Sequence, residues 1–463
     1  MHEQSNRDDL FRFSIDRGGT FTDIYCECPK TEHNNYQPYI VMKLLSEDPQ
    51  HYDDAPREGI KRIINKVLGL NMKSAKEIDI NLIEYIRMGT TVATNALLER
   101  NGSRCALITT KGFRDLLKIG NQSRPKIFDL VINKPSLLYE KVVEVDERVC
   151  LTQQAYGKTR KFQQPENSNE NEKTWKSEHL RQGISGEEIF IRKSVDEEAV
   201  FQACKGIKDQ GIDSLAVVLL HSYTFPEHEI LIGEIAKRAG IGHVSLSHQV
   251  MPMIRAVPRG HTSCVDAYLT PIIRKYVENF CAGFSDYDNL LNRVTFMQSD
   301  GGLTPAANFK GCSAIFSGPA GGVVGFSIAA YNPEDRIPVI GIDIGGTSTD
   351  VSRFGGQFEH VFETETAGVT VQAPQLDITT VAAGGGSKLF FQNTGIFQVG
   401  PDSVGANPGP VCYRKGGSLA ITDANLLLGR LIPEFFPKIF GPAENEPLDY
   451  ECKFYNNLIF IHC

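Results

Sequence analysis

The sequence lacks three features that would place it in a specialised class of proteins. No run among its 463 residues approaches the roughly 20 consecutive apolar residues needed to span a bilayer, so we expect no membrane protein. The net charge of -8 argues against a general nucleic-acid binder, which would carry an excess of Lys and Arg. Residues 1–10 are polar and acidic, without the apolar core of a signal peptide, and we expect them to be disordered.

The cysteines also lack a pattern. They number eleven, they are scattered along the chain, and only Cys26 and Cys28 lie close together, as a C-x-C. Neither a zinc site nor a disulfide framework has this spacing. Free thiols in this number are typical of a reducing compartment, so the sequence predicts a cytosolic protein.

The overall composition is ordinary. Hydrophobic residues make up 41% of the chain and charged residues 22%, as in a globular protein. The length is too great for one core and predicts two or three domains. The apolar pattern lapses over residues 152–187, where residues 163–172 form a polar tract, and we expect a flexible insert without chemistry there.

Two nearly identical stretches lie far apart in the chain. Residues 15–24 read IDRGGTFTDI and residues 342–351 read IDIGGTSTDV, with Asp, Gly, Gly, Thr, Thr and Asp at the same offsets. Each follows one apolar, strand-like run and leads into a second, so each predicts a strand, a tight Gly-Gly turn and a returning strand.

Such a turn suits a phosphate with its metal. Glycines let backbone amides approach an anion, Thr hydroxyls add donors, and an Asp carboxylate can hold a cation. A single copy is most often only a turn. Two matching copies favour facing loops that hold one polyphosphate from both sides, the arrangement of the superfamily of sugar kinases, heat-shock chaperone ATPases and actin. We therefore assign Mg²⁺ to Asp16 and Asp343, and phosphate to Gly18, Gly19, Thr20, Thr22, Gly345, Gly346, Thr347 and Thr349.

Two further stretches could start helices that face an anion. Residues 317–325 read SGPAGGVVG, and we assign Gly321 and Gly322 to phosphate binding, with close helix packing as the alternative. In residues 87–100 a Gly-Thr-Thr turn precedes a run of good helix formers. This turn predicts either an anion-facing helix end or an ordinary Thr cap.

Two charged stretches have a functional and a structural interpretation. Residues 255–263 carry two arginines and a histidine around a Pro and a Gly, near a predicted domain junction. Arg259 and His261 are our candidates for an anionic group of the substrate, and a solvated linker is the alternative. Residues 221–229 contain two histidines and two glutamates; a turn that caps the following helix is favoured over a metal site.

Together these segments resemble the hydantoinase A/5-oxoprolinase family. The motifs that carry the resemblance are residues 15–23, 87–100, 258–268, 317–325, 341–352 and 382–387. The likeness is to the N-terminal part of the long members and runs from about residue 11 to residue 447. It implies an α/β fold of two actin-like ATPase domains, residues 11–225 and 226–447, the second incomplete, with a divergent tail at residues 448–463.

The resemblance implies an ATP-dependent cyclic amide hydrolase. Such enzymes open 5-oxo-L-proline to L-glutamate and release ADP and phosphate, as glutathione metabolism requires. Phosphorylation of the lactam carbonyl oxygen would activate an amide that otherwise resists hydrolysis. The implied cofactors are ATP and Mg²⁺, with K⁺ as a further candidate, and the full-length enzyme is expected to be a homodimer.

Other functions share these motifs. Hydantoin ring opening and ATP-dependent carboxylation would use the same two turns, and a substrate panel would separate them. A non-enzymatic isoform that acts only through a partner is a third hypothesis. The sequence contains no later Gly-Gly-Ala-Gly element of the type that resembles the superfamily's adenosine loop. We therefore expect no turnover by this chain alone, and uncovered apolar surface on its second domain.

Overall fold

A computed structural model describes residues 10–31, 37–121, 136–152, 179–366, 368–391 and 396–450. Several predicted segments lie outside the described residues. They are residues 1–9, residues 153–178 of the predicted insert and residues 451–463 of the predicted tail. The described part is an α/β structure with several sheets.

The strands in chain order are β1 (Phe11–Arg17), β2 (Phe21–Glu27), β3 (Tyr39–Leu45), β4 (Ile83–Thr90), β5 (Cys105–Thr110), β6 (Lys141–Val145), β7 (Arg148–Leu151), β8 (Leu180–Gln182), β9 (Glu188–Lys193), β10 (Ser214–Val218), β11 (His243–Leu246), β12 (Val294–Met297), β13 (Leu303–Pro305), β14 (Val339–Ile344), β15 (Thr349–Phe354), β16 (His360–Val361), β17 (Thr364–Thr366), β18 (Val369–Val371), β19 (Gln375–Leu376), β20 (Ile378–Val381), β21 (Ser387–Phe391) and β22 (Phe397–Ser403).

The α-helices are α1 (Ala55–Leu68), α2 (Val92–Leu98), α3 (Leu116–Ile119), α4 (Glu197–Lys208), α5 (Glu227–Arg238), α6 (Ser247–Val250), α7 (Ala256–Ala282), α8 (Tyr287–Leu291), α9 (Ser317–Ala329) and α10 (Ile421–Leu427).

The first hairpin lies inside a six-stranded sheet. The order is β13-β12-β4-β1-β2-β3, with β1 antiparallel to β2 and parallel to β4. Helix α1 packs against β1, β2 and β3, because its apolar residues recur on one face. Phe13 and Ile15 of β1 join Ile60, Ile63 and Ile64 of α1 in the main core.

A parallel four-stranded sheet, in the order β11-β10-β5-β6, forms a second core with α4 and α5. The predicted domain division at residue 225 falls between β10 and β11, which pair with each other. Moreover β12 and β13, well beyond that point, belong to the sheet of the first hairpin. The predicted division therefore does not coincide with a break between sheets.

The second hairpin stands in a much smaller sheet. Its order is β14-β15-β20, all antiparallel. The register repeats that of the first hairpin: Asp16 pairs with Asp23 across β1 and β2, and Asp343 pairs with Asp350 across β14 and β15. Helix α9 packs against β14 and β15 and also against β4 and β12, so it joins the two hairpin sheets.

Residues 411–448 turn back onto the first hairpin sheet, and we call them the return segment. Its Tyr413 and Phe440 pack in one apolar cluster with Leu45 at the end of β3. The Lys415 ammonium group lies 2.5 Å from the Asp48 carboxylate, and both side chains are buried. Arg62 of α1 forms a second ion pair, 2.9 Å long, with Glu444. The second half is thus fastened to the first through α9 and again through the return segment.

One helix begins earlier than the sequence suggested. Residues 255–263 were expected to form a basic turn, but α7 starts at Ala256 and continues for 27 residues. Pro258 is tolerated because it lies in the first helical turn, where its missing N–H has no partner to lose. Gly260 is required by packing, since a β-carbon there would lie 2.5 Å from a methyl group of Leu117.

One stretch of the described chain, Gly311–Ala329, is long and apolar enough to cross a membrane by length and composition alone, with a mean hydropathy of 1.4. This stretch is therefore an exception to the expectation that no segment of the chain is long and apolar enough to span a bilayer. Half of the stretch is buried, and it consists of a 3₁₀ turn at Gly311–Ser313 and helix α9. Buried core helices of globular proteins have the same composition.

Candidate functional site

The two glycine turns meet. The amide of Gly18 donates to the carbonyl of Phe21 at 3.0 Å, and that of Gly345 donates to Ser348 at 2.9 Å, so each turn is closed by one hydrogen bond. A β-carbon on Gly19 would lie 2.7 Å from the Thr347 hydroxyl, and one on Gly346 would lie 1.9 Å from the Thr20 hydroxyl. In each turn, a glycine therefore packs against the threonine of the other turn. The predicted meeting of the turns is confirmed.

Both turns line one cleft of about 900 Å³. Four carboxylates reach it, from Asp16, Asp23, Asp343 and Asp350. Aromatic and aliphatic side chains of the return segment line it as well, including Tyr413, Leu431 and Phe436. A cleft of this size with polar and apolar walls can hold a molecule as large as a nucleotide.

The Asp16 side chain is exposed to the cleft, with protein atoms and other acidic groups close to its carboxylate. Partial loss of hydration, together with the negative charges of Asp23 and Asp343, raises its pKa to about 6. The Lys43 ammonium group opposes this shift and lies 2.5 Å from Asp23. An acidic cluster with one nearby cation favours binding of a further positive charge.

Asp350 occupies the position in the second hairpin that Asp23 has in the first. It accepts hydrogen bonds from the hydroxyls of Thr380, at 2.6 Å, and Ser348, at 3.2 Å. Burial raises its pKa, and these hydrogen bonds oppose the shift. The second hairpin thus holds its outer carboxylate with hydroxyl groups where the first uses a lysine.

Among the residues that the structure describes, the cleft carboxylates do not form a preformed metal cage. In the ranges that the structure describes, only Asp48, His51 and Glu444 place three potential ligand atoms within 4.8 Å of one another. That group lies at the return segment, where Lys415 already neutralises Asp48. A cation among the cleft carboxylates would therefore need water or ligand oxygens to complete its shell. Mg²⁺ is usually bound in this way, with few protein ligands and several waters.

Thr20 fits an anionic ligand. Its hydroxyl is buried at the first turn and has no hydrogen-bond partner among the described residues. A buried hydroxyl of this kind costs free energy unless a ligand or a water pairs with it. Gly18, Gly19, Gly345 and Gly346 line the cleft beside it, and their small size lets the backbone approach a ligand closely.

Neighbouring elements hold the two turns in place. On the first side, Gly89 and Gly318 pack against Asp16, since β-carbons there would lie 3.0 and 3.3 Å from its Oδ1. On the second side, the amides of Gly385 and Gly386 donate to the carbonyls of Gly345 and Gly346, at 2.9 and 2.7 Å. The glycines of residues 382–387 thus allow one backbone to pack directly on another.

The structure places three of the predicted phosphate contacts away from the cleft. Thr22 is fully buried behind the turn, where its hydroxyl lies 3.0 Å from that of Ser46, and it does not line the cleft. Gly321 and Gly322 also do not line it, because they lie further into α9 than Gly318 and Pro319, which do. Thr349 lines the cleft while its hydroxyl donates to the carbonyl of Ala383 at 2.7 Å.

The structure gives Arg259 buried contacts within the fold, which do not favour the predicted contact with a substrate anion. Its side chain is fully buried in α7. The guanidinium group donates to the Ser247 hydroxyl at 3.0 Å, to the Leu219 carbonyl at 2.8 Å and to the Met253 carbonyl. His261 is half-buried in the same helix, and neither residue lines the cleft.

The two histidines of residues 221–229 make contacts within the fold. The ring of His221 lies near that of Tyr223. His228 lies 2.8 Å from Glu147, and the neighbouring Glu229 accepts hydrogen bonds from Ser247 and His248. Among the described residues these side chains do not form a group of metal ligands, and helix α5, which follows, begins after Pro226 without a side-chain cap.

Several cleft residues were missed. Lys43 comes from β3 and Asn425 from α10, and no local motif marks either one. Arg430, on the return segment, lines the cleft with no acidic partner in the described part of the chain. Strand pairing brings Lys43 to the turns, and the packing of the return segment brings Asn425 and Arg430, and the spacing of motifs reveals neither.

Comparison with known proteins agrees with the resemblance. The profile of the hydantoinase/oxoprolinase N-terminal region matches residues 12–240, and that of hydantoinase/oxoprolinase matches residues 259–454. A 5-oxoprolinase of Dictyostelium discoideum is 55% identical over 95% of this chain and 34% of its own length. The 5-oxoprolinase 1 of Arabidopsis thaliana is 56% identical over 95% of this chain and 33% of its own.

Two solved structures resemble the fold. Nucleotide-free acetone carboxylase superposes with a TM-score of 0.70 at 20% identity, over 96% of this chain and 57% of that one. The ATP-dependent caprolactamase of Pseudomonas jessenii gives a TM-score of 0.60 at 28% identity, over 96% and 58%. This chain spans about a third of the length of the curated relatives it matches. From its motifs and both profiles, the chain belongs to the hydantoinase/oxoprolinase family.

Proposed function

We propose that this chain is the nucleotide-binding part of an ATP-dependent 5-oxoprolinase, which opens 5-oxo-L-proline to L-glutamate. The observation that carries the proposal is the pair of interlocked Gly-Gly-Thr turns, with their aspartates, at one cleft. Relatives at 55% and 56% identity are named 5-oxoprolinase, which supports this substrate over the others.

In this proposal the two turns hold the polyphosphate. Backbone amides of the four turn glycines and the hydroxyls of Thr20 and Thr347 contact phosphate oxygens, since nests of backbone donors favour anions. Asp16 and Asp343 hold Mg²⁺ through water, one from each hairpin. Bound ATP supplies the phosphoryl group that activates the lactam carbonyl oxygen.

The fold assignment that goes with this function is a pair of actin-like ATPase domains. The repeated hairpins, with equal register and meeting turns, support it. So does the joining of the two hairpin sheets by a single helix, α9. The expected requirement for K⁺ and the homodimer of the full-length enzyme stay predictions. A cytosolic location is supported by nine described cysteines that are all free.

A cyclic amide of another size is the second candidate substrate. The alpha subunit of a caprolactamase is 30% identical over 91% of this chain, so its nucleotide-binding part is related to this one. Both reactions need the same activation of an amide oxygen. A panel of 5-oxoproline, caprolactam and hydantoin, assayed in a full-length protein that contains this region, separates them by the product formed.

Nucleotide binding by the purified chain tests the proposal. We expect MgATP and magnesium tripolyphosphate to bind with similar affinity, because the two turns contact the phosphates that both probes carry. Calorimetric titration measures both. Neither ADP release nor glutamate formation is expected from this chain alone. Absence of binding by both probes would contradict the assignment of the cleft, and stoichiometric turnover would show that the chain is sufficient by itself.

A further inference from the structure

The cleft has a cation that the two glycine turns do not use. Besides its four carboxylates, the cleft is lined by two basic side chains, Lys43 and Arg430. The Lys43 ammonium group lies 2.5 Å from the Asp23 carboxylate, so its charge is already neutralised. Arg430 forms no ion pair within the part of the chain that the structure describes. Its guanidinium group is therefore available to an anion that enters the cleft.

A tight turn after α10 holds Arg430 at the cleft. Gly429 adopts a left-handed conformation, with a φ of 68°, which ends the helix. The amides of Arg430 and Leu431 both donate to the carbonyl of Asn425, at 2.9 and 3.3 Å. The turn thus places Arg430 beside Asn425, and both line the cleft.

Asn425 offers a second polar group from the same turn. Its side-chain amide makes no hydrogen bond with another of the described residues, although it lines the cleft. Leu431 and Phe436 add apolar surface on the same segment. A cation, a carboxamide and an apolar wall match a small molecule that carries a carboxylate, an amide and methylene groups.

We propose that Arg430 binds the carboxylate of 5-oxo-L-proline and that Asn425 binds its lactam N–H. The inference rests on the proposed function and extends it from the nucleotide to the second substrate. The guanidinium group presents two parallel N–H donors, which match the two oxygens of a carboxylate. The side-chain oxygen of Asn425 accepts the lactam N–H, which leaves the lactam carbonyl oxygen for the phosphoryl group.

The charges of the cleft favour this assignment. The four aspartates and the phosphates of ATP all repel a carboxylate, so a substrate with its own negative charge needs a cation that the nucleotide does not use. A lactam without a carboxylate, such as caprolactam, gains nothing from Arg430. The residue therefore selects 5-oxoproline over the uncharged cyclic amide, because a site built for a charged group loses its hydrogen bonds when that group is missing.

Steady-state kinetics of a full-length protein that contains this region tests the assignment. Arg430→Gln should raise the KM for 5-oxoproline by about 10- to 100-fold, as expected for lost hydrogen bonds to a charged group, with little change in kcat. The probe for the carboxylate is 5-oxoprolinamide, in which a neutral amide replaces it. Its inhibition constant should stay the same in this variant. Arg430→Lys keeps the charge without the paired donors and should give an intermediate KM.

Asn425→Ala should give a different pattern. Both 5-oxoproline and 5-oxoprolinamide carry the lactam, so the KM of the first and the inhibition constant of the second should rise by the same factor. Lys438→Gln is the matched control for charge, because Lys438 is an exposed cation of the return segment that does not line the cleft. It should leave both constants unchanged. Since Arg430 is exposed, its variants should keep the thermal melting temperature, which circular dichroism checks.

Titration with MgATP separates the two parts of the cleft. The Kd for MgATP should be the same in Arg430→Gln and in the parent protein. A weakened affinity for MgATP would make Arg430 a nucleotide contact and would overturn the proposal. An unchanged KM for 5-oxoproline would overturn it too, as would an equal rise in the inhibition constant of 5-oxoprolinamide. Absence of glutamate formation by the parent protein would instead contradict the proposed function, and the carboxylate site with it.

Discussion

The two glycine turns share their residues and their register, but their surroundings differ. The first is embedded in six strands, with Phe13 and Ile15 in the main core. The second stands on three strands, with the corresponding Ile340 and Ile342 exposed. The outer aspartates differ too, because Asp23 is paired with Lys43 and Asp350 with the hydroxyl of Thr380. The shared part is thus the ligand-facing turn, and the scaffold behind it varies.

The largest expected effect comes from removing the aspartates that the hairpins share. Asp16→Asn or Asp343→Asn should keep the fold and lower ATP hydrolysis by on the order of 10²-fold or more, by analogy with the loss of one preorganised electrostatic contact. The measurement is steady-state ADP release by a full-length protein that contains this region. A loss in only one of the two variants would show that the hairpins are not equivalent in function. Near-normal turnover in both would refute the assignment of Mg²⁺.

The next effect concerns the contact between the turns. Gly346→Ala should push Thr20 away, because the new β-carbon would lie 1.9 Å from its hydroxyl, and overpacking of this kind costs about 1–3 kcal/mol. Gly19→Ala should cost less, since its nearest contact with Thr347 is 2.7 Å. Urea unfolding and MgATP titration measure both variants. Gly322→Ala is the control, because nothing lies within 4 Å of its β-carbon, and it should lose neither stability nor affinity.

The pH dependence of binding should identify Asp16 of the first hairpin. The Asp16 pKa is raised from 3.8 to about 6, so protonation begins as the pH falls below about 7. MgATP affinity should fall toward pH 5, because a neutral carboxyl group does not attract the cation. Asp16→Asn should remove most of this step in a titration from pH 7.5 to 5. The pKa of Asp350 is also raised, so its titration should broaden the pH dependence that remains in the Asp16→Asn variant.

Stability should change in the opposite direction from binding. The folded chain binds the Asp16 proton more tightly than the unfolded chain does, so between pH 3.8 and about 6 this group lowers the free energy of unfolding as the pH rises. Its destabilising contribution is complete above pH 6 and absent below 3.8. Asp16→Asn should therefore stabilise the ligand-free chain at neutral pH. An equal stability of the variant and the parent at pH 7.5 would contradict the raised pKa.

The smallest effects are expected at the partners of the outer aspartates. Lys43→Gln removes a half-exposed ion pair and should cost less than about 1 kcal/mol. Thr380→Val removes a hydrogen bond to Asp350 and should cost about 1 kcal/mol. Urea unfolding at pH 7.5 measures each variant. A much larger loss for Lys43→Gln would indicate that the lysine also compensates the charge of Asp16.

The hairpins could be predicted from the sequence because their chemistry is local. A Gly-Gly turn between two apolar runs specifies strand, turn and strand, and the second copy indicated that the turns meet. The choice among neighbouring glycines could not be made in the same way. Gly318 rather than Gly321 faces the cleft, and this depends on where α9 begins and how it packs on Asp16.

The expectation of a basic turn around Arg259 failed for a related reason. A Pro and a Gly around two arginines are typical of an exposed turn, but the long helix α7 includes them. The guanidinium group then bonds to the carbonyl of Leu219 and the hydroxyl of Ser247, both distant in sequence. Local pattern carries no information on such partners, and the same holds for Lys43 and Asn425 in the cleft.

The return segment limits how the cleft can move. The second half is joined to the first through α9, through residues 411–448 and through β18, which packs against α7. A sliding motion would have to separate Lys415 from Asp48 and leave two buried charges unpaired. We therefore expect Gly19 and Gly346 to keep their contacts with the facing turns, so that a departing ligand meets the same two turns as an arriving one.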